Sequence, residues 1–128
     1  MILRLAVSLT LAPLALVALA APAAAAARPL TADEQMALRC GVAFGMVVAG
    51  QARGDAAMGG YPPLAQRGRE FFVRLAAKLM DDAGLDEAGV KAAAEAEAAA
   101  LRRQRGLEGM MPFCLKVLDA QPRFAPAR

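Results

Sequence analysis

Thr31-Ala-Asp-Glu-Gln-Met-Ala-Leu-Arg-Cys40-Gly-Val-Ala-Phe-Gly-Met-Val-Val-Ala-Gly50-Gln-Ala-Arg-Gly54 is the stretch that decides the fold. It opens with a capping box. The Thr31 hydroxyl can accept from the amide three residues on, while the Glu34 carboxylate reaches back to the Thr31 amide. Met36, Cys40, Ala43, Val47 and Gly50 recur at three- and four-residue steps, with Phe44 and Val48 widening the same face. The pattern predicts a helix over 32–53 that stops at Gly54. Thirteen residues from Cys40 to Ala52 carry no charge, too few to cross a bilayer and suited to a buried core helix. Gly41-x-x-x-Gly45 reads as a site of close packing against another helix rather than as a membrane dimer motif.

Downstream, three further helices are expected, giving an all-α bundle of about four. Gly54–Pro63 reads as a loop, with Gly59-Gly60 followed by Tyr61-Pro62-Pro63. The next helix spans about 63–83, with Leu64, Gly68, Phe71, Phe72, Leu75 and Leu79 as its stripe and Gly84 as its left-handed stop. Asp86 can cap a third over about 87–105, ended by Gly106. Its apolar side is thin: Val90, Ala94, Ala98 and Leu101. The run Ala92–Ala100 is alanine-rich but helical by propensity. Pro112 is expected in the first turn of a last helix reaching about Ala120, with Met111, Cys114, Leu115 and Leu118 on one face. Gln121–Arg128 reads as a flexible, frayed tail. The core is expected where the first, second and last helices meet, centred on Phe44, Phe71, Leu75 and Leu118.

Upstream, residues 1–27 carry the pattern of a cleavable signal peptide. Arg4 supplies the cationic start, Leu5–Ala20 the apolar run, and the alanines up to Ala27 the small −1 and −3 residues. Cleavage is expected within Ala23–Ala27, after Ala25 or Ala27 by preference. Pro22 and the alanine run favour cleavage over an uncleaved anchor. The expected organisation is therefore signal 1–27, helical domain 28–120 and tail 121–128, in a periplasmic or secreted protein.

Two cysteines in such a compartment read as a disulfide, Cys40 with Cys114. Closing a loop of 74 residues is worth roughly 4 kcal/mol in the chain-entropy model. A redox-active pair is disfavoured, since the two do not form a C-x-x-C motif.

Other chemistries are limited by what is missing. Beyond residue 27 there is no His, Ser, Asn or Trp. Neither a Ser–His nor a Cys–His nucleophile can be assembled, and a zinc or haem site would lack ligands. We therefore expect no catalytic residue, no cofactor and no metal. Met110-Met111-Pro-Phe-Cys114 reads as core filling rather than a soft-metal site. Glu95 and Glu97 stand two apart on a helix, so they point in different directions and make no acid–base pair. Removing Arg4 leaves fourteen basic against twelve acidic residues, a balance that argues against nucleic acid or an anionic membrane as partner. Arg102, Arg103 and Arg105 read as cations at a helix end. The best candidates for contact with a protein partner are Tyr61, Pro62 and Pro63, a rigid apolar edge with one hydrogen-bonding tip.

The chain resembles small exported two-cysteine helical proteins of alphaproteobacterial type that carry no assigned activity. The resemblance lies in Arg39-Cys40-Gly-Val-Ala-Phe44, Tyr61-Pro-Pro-Leu64, Arg67-Gly-Arg-Glu-Phe-Phe-Val-Arg74 and Met111-Pro-Phe-Cys-Leu115, and it implies no catalytic residues. In size and single disulfide alone the chain is similar to periplasmic acid-stress chaperones. The expected function is a non-enzymatic periplasmic binding or accessory protein. The alternatives are a holdase, which with no His would open when carboxylates protonate, and an inhibitor or immunity protein, which genomic neighbourhood would distinguish.

Overall fold

The computed structural model describes residues 26–121. The expected signal segment up to residue 25 and the tail beyond 121 lie outside the described residues. Five helices follow one another: α1 (Ala32–Arg53), α2 (Ala56–Gly59), α3 (Ala65–Ala83), α4 (Glu87–Gln104) and α5 (Leu107–Asp119). No strand occurs among the described residues.

The capping box forms. The Glu34 amide donates to Thr31 Oγ1 at 3.2 Å, and the Thr31 amide donates to Glu34 Oε2 at 2.8 Å. Gly54, at φ 76°, closes α1 in the left-handed region that favours glycine. Between these caps α1 is the hub of the molecule, packing against α2, α3, α4 and α5. Leu38, Cys40, Ala43, Phe44 and Val47 are all buried along it. Met36 lies on the expected face but is 40% exposed.

The α1–α3 contact is built on two glycines. A Cβ on Gly41 would press on the Phe72 ring at 3.0 Å, and one on Gly68 would meet Phe44 Cβ at the same distance. Each helix therefore offers a bare patch of backbone to the other's aromatics. Gly45 does not share in this; nothing lies within 4 Å of where its Cβ would be. The expected pairing of both glycines in one contact is corrected accordingly.

The expected core centre holds, with Phe44, Phe71, Leu75 and Leu118 all buried. Cys40 and Cys114 lie with Sγ atoms 2.08 Å apart in a disulfide that fastens α5 to α1. Two boundaries differ from expectation. Residues 56–59 form the short α2 inside the predicted loop, and α5 starts at Leu107, five residues ahead of Pro112. Pro112 is thus interior, and the Glu108 carbonyl loses the amide that would reach it. Leu107 and Met111, one turn apart and both buried, hold that turn by packing. Nor does Gly106 end α4. Arg105 takes the left-handed position at φ 47°, and Gly106 begins α5.

Candidate functional site

The Tyr61-Pro62-Pro63 segment is a cover rather than a projecting loop. Tyr61 is half-buried against the core, Pro62 and Pro63 are exposed, and Leu64 beyond them is fully buried as an anchor. Gln51, at the end of α1, clamps the segment. Its side-chain amide donates to the carbonyls of Met58, Tyr61 and Pro62 at 3.1–3.2 Å. Sequence reading missed this clamp, since an isolated Gln near a helix end carries no pattern of its own. None of the three candidate residues lines the grooves described next.

A trough of about 780 Å³ lies between α1, α3 and α4. Its floor comes from α1, with Val42, Gly45, Met46 and Ala49 spaced over two turns. Phe72, Val73, Ala76, Ala77 and Met80 form the α3 wall, and Val90, Ala94 and Ala98 the α4 wall. Charge is confined to the α4 lip, where Glu87, Lys91 and Glu95 stand. On the α3 lip Val73 is 60% and Met80 42% exposed. The local cause is side-chain size. The thin alanine face expected of α4 packs on α1 but leaves the space toward α3 unfilled, and Gly45 brings no side chain to the floor. A smaller groove of about 310 Å³ continues the trough past Gly41 and Gly68 to Arg69.

One polar junction holds α4 in place. Glu97, buried on α4, accepts from Arg39 Nε at 2.8 Å and from the Gln35 side-chain amide at 3.1 Å. Burial alone would raise the Glu97 carboxyl, but the bonds from Arg39 and Gln35, with the Arg39 charge, outweigh it and hold it below the ordinary carboxylate value. Sequence reading correctly separated Glu95 from Glu97, yet overlooked that Gln35 and Arg39, four apart, converge on the latter. At the start of the described chain Arg28 grips Glu34 through two nitrogens at 2.8 Å, and its amide bonds the Ala83 carbonyl. The Arg28 hydrogen bond, then that of the Thr31 amide, holds the Glu34 carboxyl down at about 2.

Among the described residues no cluster of His, Cys, Asp and Glu is placed to hold a metal ion, and no helix is long and apolar enough to cross a membrane. No protein-family model, curated protein or solved structure matches this chain. Its role is therefore read from the trough and its supports.

Proposed function

We propose that this is a non-enzymatic, exported binding protein whose α1–α3–α4 trough receives the apolar face of a helix from a partner protein. One observation carries the reading: a concavity of about 780 Å³ whose floor and α3 wall are aliphatic, aromatic and methionine side chains, open to solvent. Exposed apolar area of this kind marks interaction surfaces, and methionine adapts to varied partners.

The form of the occupant follows from hydrogen bonding. The walls are helices, so their backbone groups are already paired within them. An extended segment laid in the trough would find almost nothing to bond its amides. A helix satisfies its own backbone and presents side chains at i, i+3, i+4 and i+7. The α4 wall from Glu87 to Ala98 offers about three turns, roughly 17 Å, for such a contact. Glu87, Lys91 and Glu95 on the lip then face the polar side of the guest.

The test is titration of the oxidised protein with an amphipathic helical peptide bearing leucines at those spacings, followed by NMR. Saturable shifts confined to Met46, Val73, Met80 and Ala94 are expected, with Val73→Asp weakening binding at least tenfold at unchanged helicity. Shifts spread over the whole surface, or none, would refute the reading. Export is checked separately by the intact mass of the cellular protein. Processing within Ala23–Ala27 is expected, and a retained Met1 form would overturn it.

A second reading, an acid-activated holdase, is favoured by the junction at Glu97. Protonating that carboxyl would remove the charge holding Arg39 and loosen α4 over the trough. Dye binding and suppression of client aggregation that both rise as pH falls below the ordinary carboxylate range would favour this role. A flat response would remove it.

A further inference from the structure

The trough and the smaller groove beside it make one channel along α3, since Val42, Gly45, Phe72 and Val73 line both. From Arg69 to Met80 the α3 side of this channel covers about three turns, roughly 16 Å. Its two ends carry opposite charge. Arg69 lines the smaller groove only, and Glu87, just past the turn that follows α3, lines the trough only. Both are exposed, and neither makes an ion pair among the described residues. Between them Lys91 and Glu95 stand 3.9 Å apart and largely offset each other.

Gly45 lies where the two grooves join. It is exposed, and its backbone has none of the positive φ that calls for glycine. Nothing lies within 4 Å of where its Cβ would be. Glycine weakens a helix interior relative to alanine, and here no contact within the chain requires it. What the bare backbone provides is room for another helix to approach closely.

We infer, resting on the trough as a helix-binding site, that the partner's helix runs in the same direction as α3, with an acidic first turn at Arg69, a basic last turn at Glu87 and its closest approach over Gly45. Helices commonly carry acids in the first turn and bases in the last, because their own macrodipole favours that order. Laid parallel to α3, such a helix sets its acids on Arg69 and its bases on Glu87. Laid the other way, it sets like charges together at both ends. The bare dipole of the guest opposes the parallel setting, since its positive end then approaches Arg69. That dipole amounts to only about half a charge at each end, less than the side-chain charges that stand over it. The partner is therefore a protein with an exposed amphipathic helix of this charge order and a small residue facing Gly45.

The test uses the oxidised full chain and a synthetic amphipathic helical peptide, acidic in its first turn, basic in its last and carrying a nitroxide at its N-terminus. Expected is paramagnetic broadening of Val48 and Ala65, at the Arg69 end, while Met80 and Val90 stay sharp. Arg69→Gln combined with Glu87→Gln, at two exposed positions, should let the peptide lie in both directions, so that both ends broaden. Gly45→Leu should weaken binding about tenfold without lowering the melting temperature. Saturable binding with Met80 and Val90 broadened instead, or with both ends broadened equally in the parent, would overturn the inference while leaving the trough as a helix site. So would Gly45→Leu that binds as tightly as the parent. No saturable binding in the trough would refute that site and the direction together. Trough shifts that grow with protein concentration alone would make the occupant a second copy and would equally overturn the inference.

Discussion

The Phe44 ring on α1 meets the Phe71 ring on α3 edge to face, with centroids 5.3 Å apart and planes at 84°. In that arrangement the positive ring edge of one addresses the negative face of the other, adding about 0.5–1.5 kcal/mol to the area both bury. The contact is possible because Gly68 leaves room for Phe44 and Gly41 for the α3 aromatics.

Phe71→Ala removes this contact and opens a cavity at the α1–α3 seam, so a loss of about 3–5 kcal/mol is expected. Ala98→Ser, on the partly buried face of α4, should cost far less. Chemical denaturation of both variants checks the ranking. Equal stability of Phe71→Ala and the parent would show that the seam does not hold the fold.

Cys40 and Cys114 should resist alkylation in the native protein and react only after reduction, with the protein running as a monomer. Cys114→Ser should lower stability by up to roughly 4 kcal/mol. Alkylation by mass spectrometry and urea unfolding are the measurements. Two reactive thiols in the cellular protein, or a disulfide-linked dimer, would contradict the intrachain bond.

Glu34 makes stability depend on acid. Its folded carboxyl sits at about 2 against an ordinary 4.5. A depressed carboxyl stabilises above the unfolded value and loses that contribution as pH falls through the folded one. The stability gap between the parent and Glu34→Gln should therefore be full at pH 7 and shrink between about 4.5 and 2. Thermal melts across that window decide it, and a gap constant with pH would disprove the link.

Removing Glu97 leaves Arg39 and Gln35 without their acceptor beneath α4. Arg39 is about one-third exposed, so water takes up part of the loss. Glu97→Ala is expected to cost about 1–2 kcal/mol. Hydrogen exchange should rise in α4 more than in α3. Uniform acceleration across both helices would mean that Glu97 does not act as a local tether.

Arg105 is a non-glycine residue at φ 47°, a region that costs an L-residue roughly 1–2 kcal/mol. Its side chain is exposed. Arg105→Gly should therefore stabilise by about 1 kcal/mol, net of the extra freedom glycine has when unfolded. A lowered melting temperature would show that the arginine contributes more than its backbone costs.

Local chemistry was enough to set the helical class, the Thr31–Glu34 cap, the glycine stops at Gly54 and Gly84, and the central Phe44–Phe71–Leu75–Leu118 cluster. Each of these depends on spacing along one helix or on one residue's backbone preference, and spacing is written in the sequence. What needed the tertiary structure depends on distances between helices. Pro112 sits inside α5 because Leu107 and Met111 find a core to bury in, a gain no local pattern reports. Glu97 is buried because Gln35 and Arg39, some sixty residues earlier, converge on it. Gly41 packs while Gly45 does not, although the two are equivalent in the motif, because only one faces the aromatics of α3. The trough itself is an absence of side-chain volume between helices that the alanines of α4 do not fill. Alanine favours helix wherever it stands; whether it leaves a cavity is decided by what stands opposite.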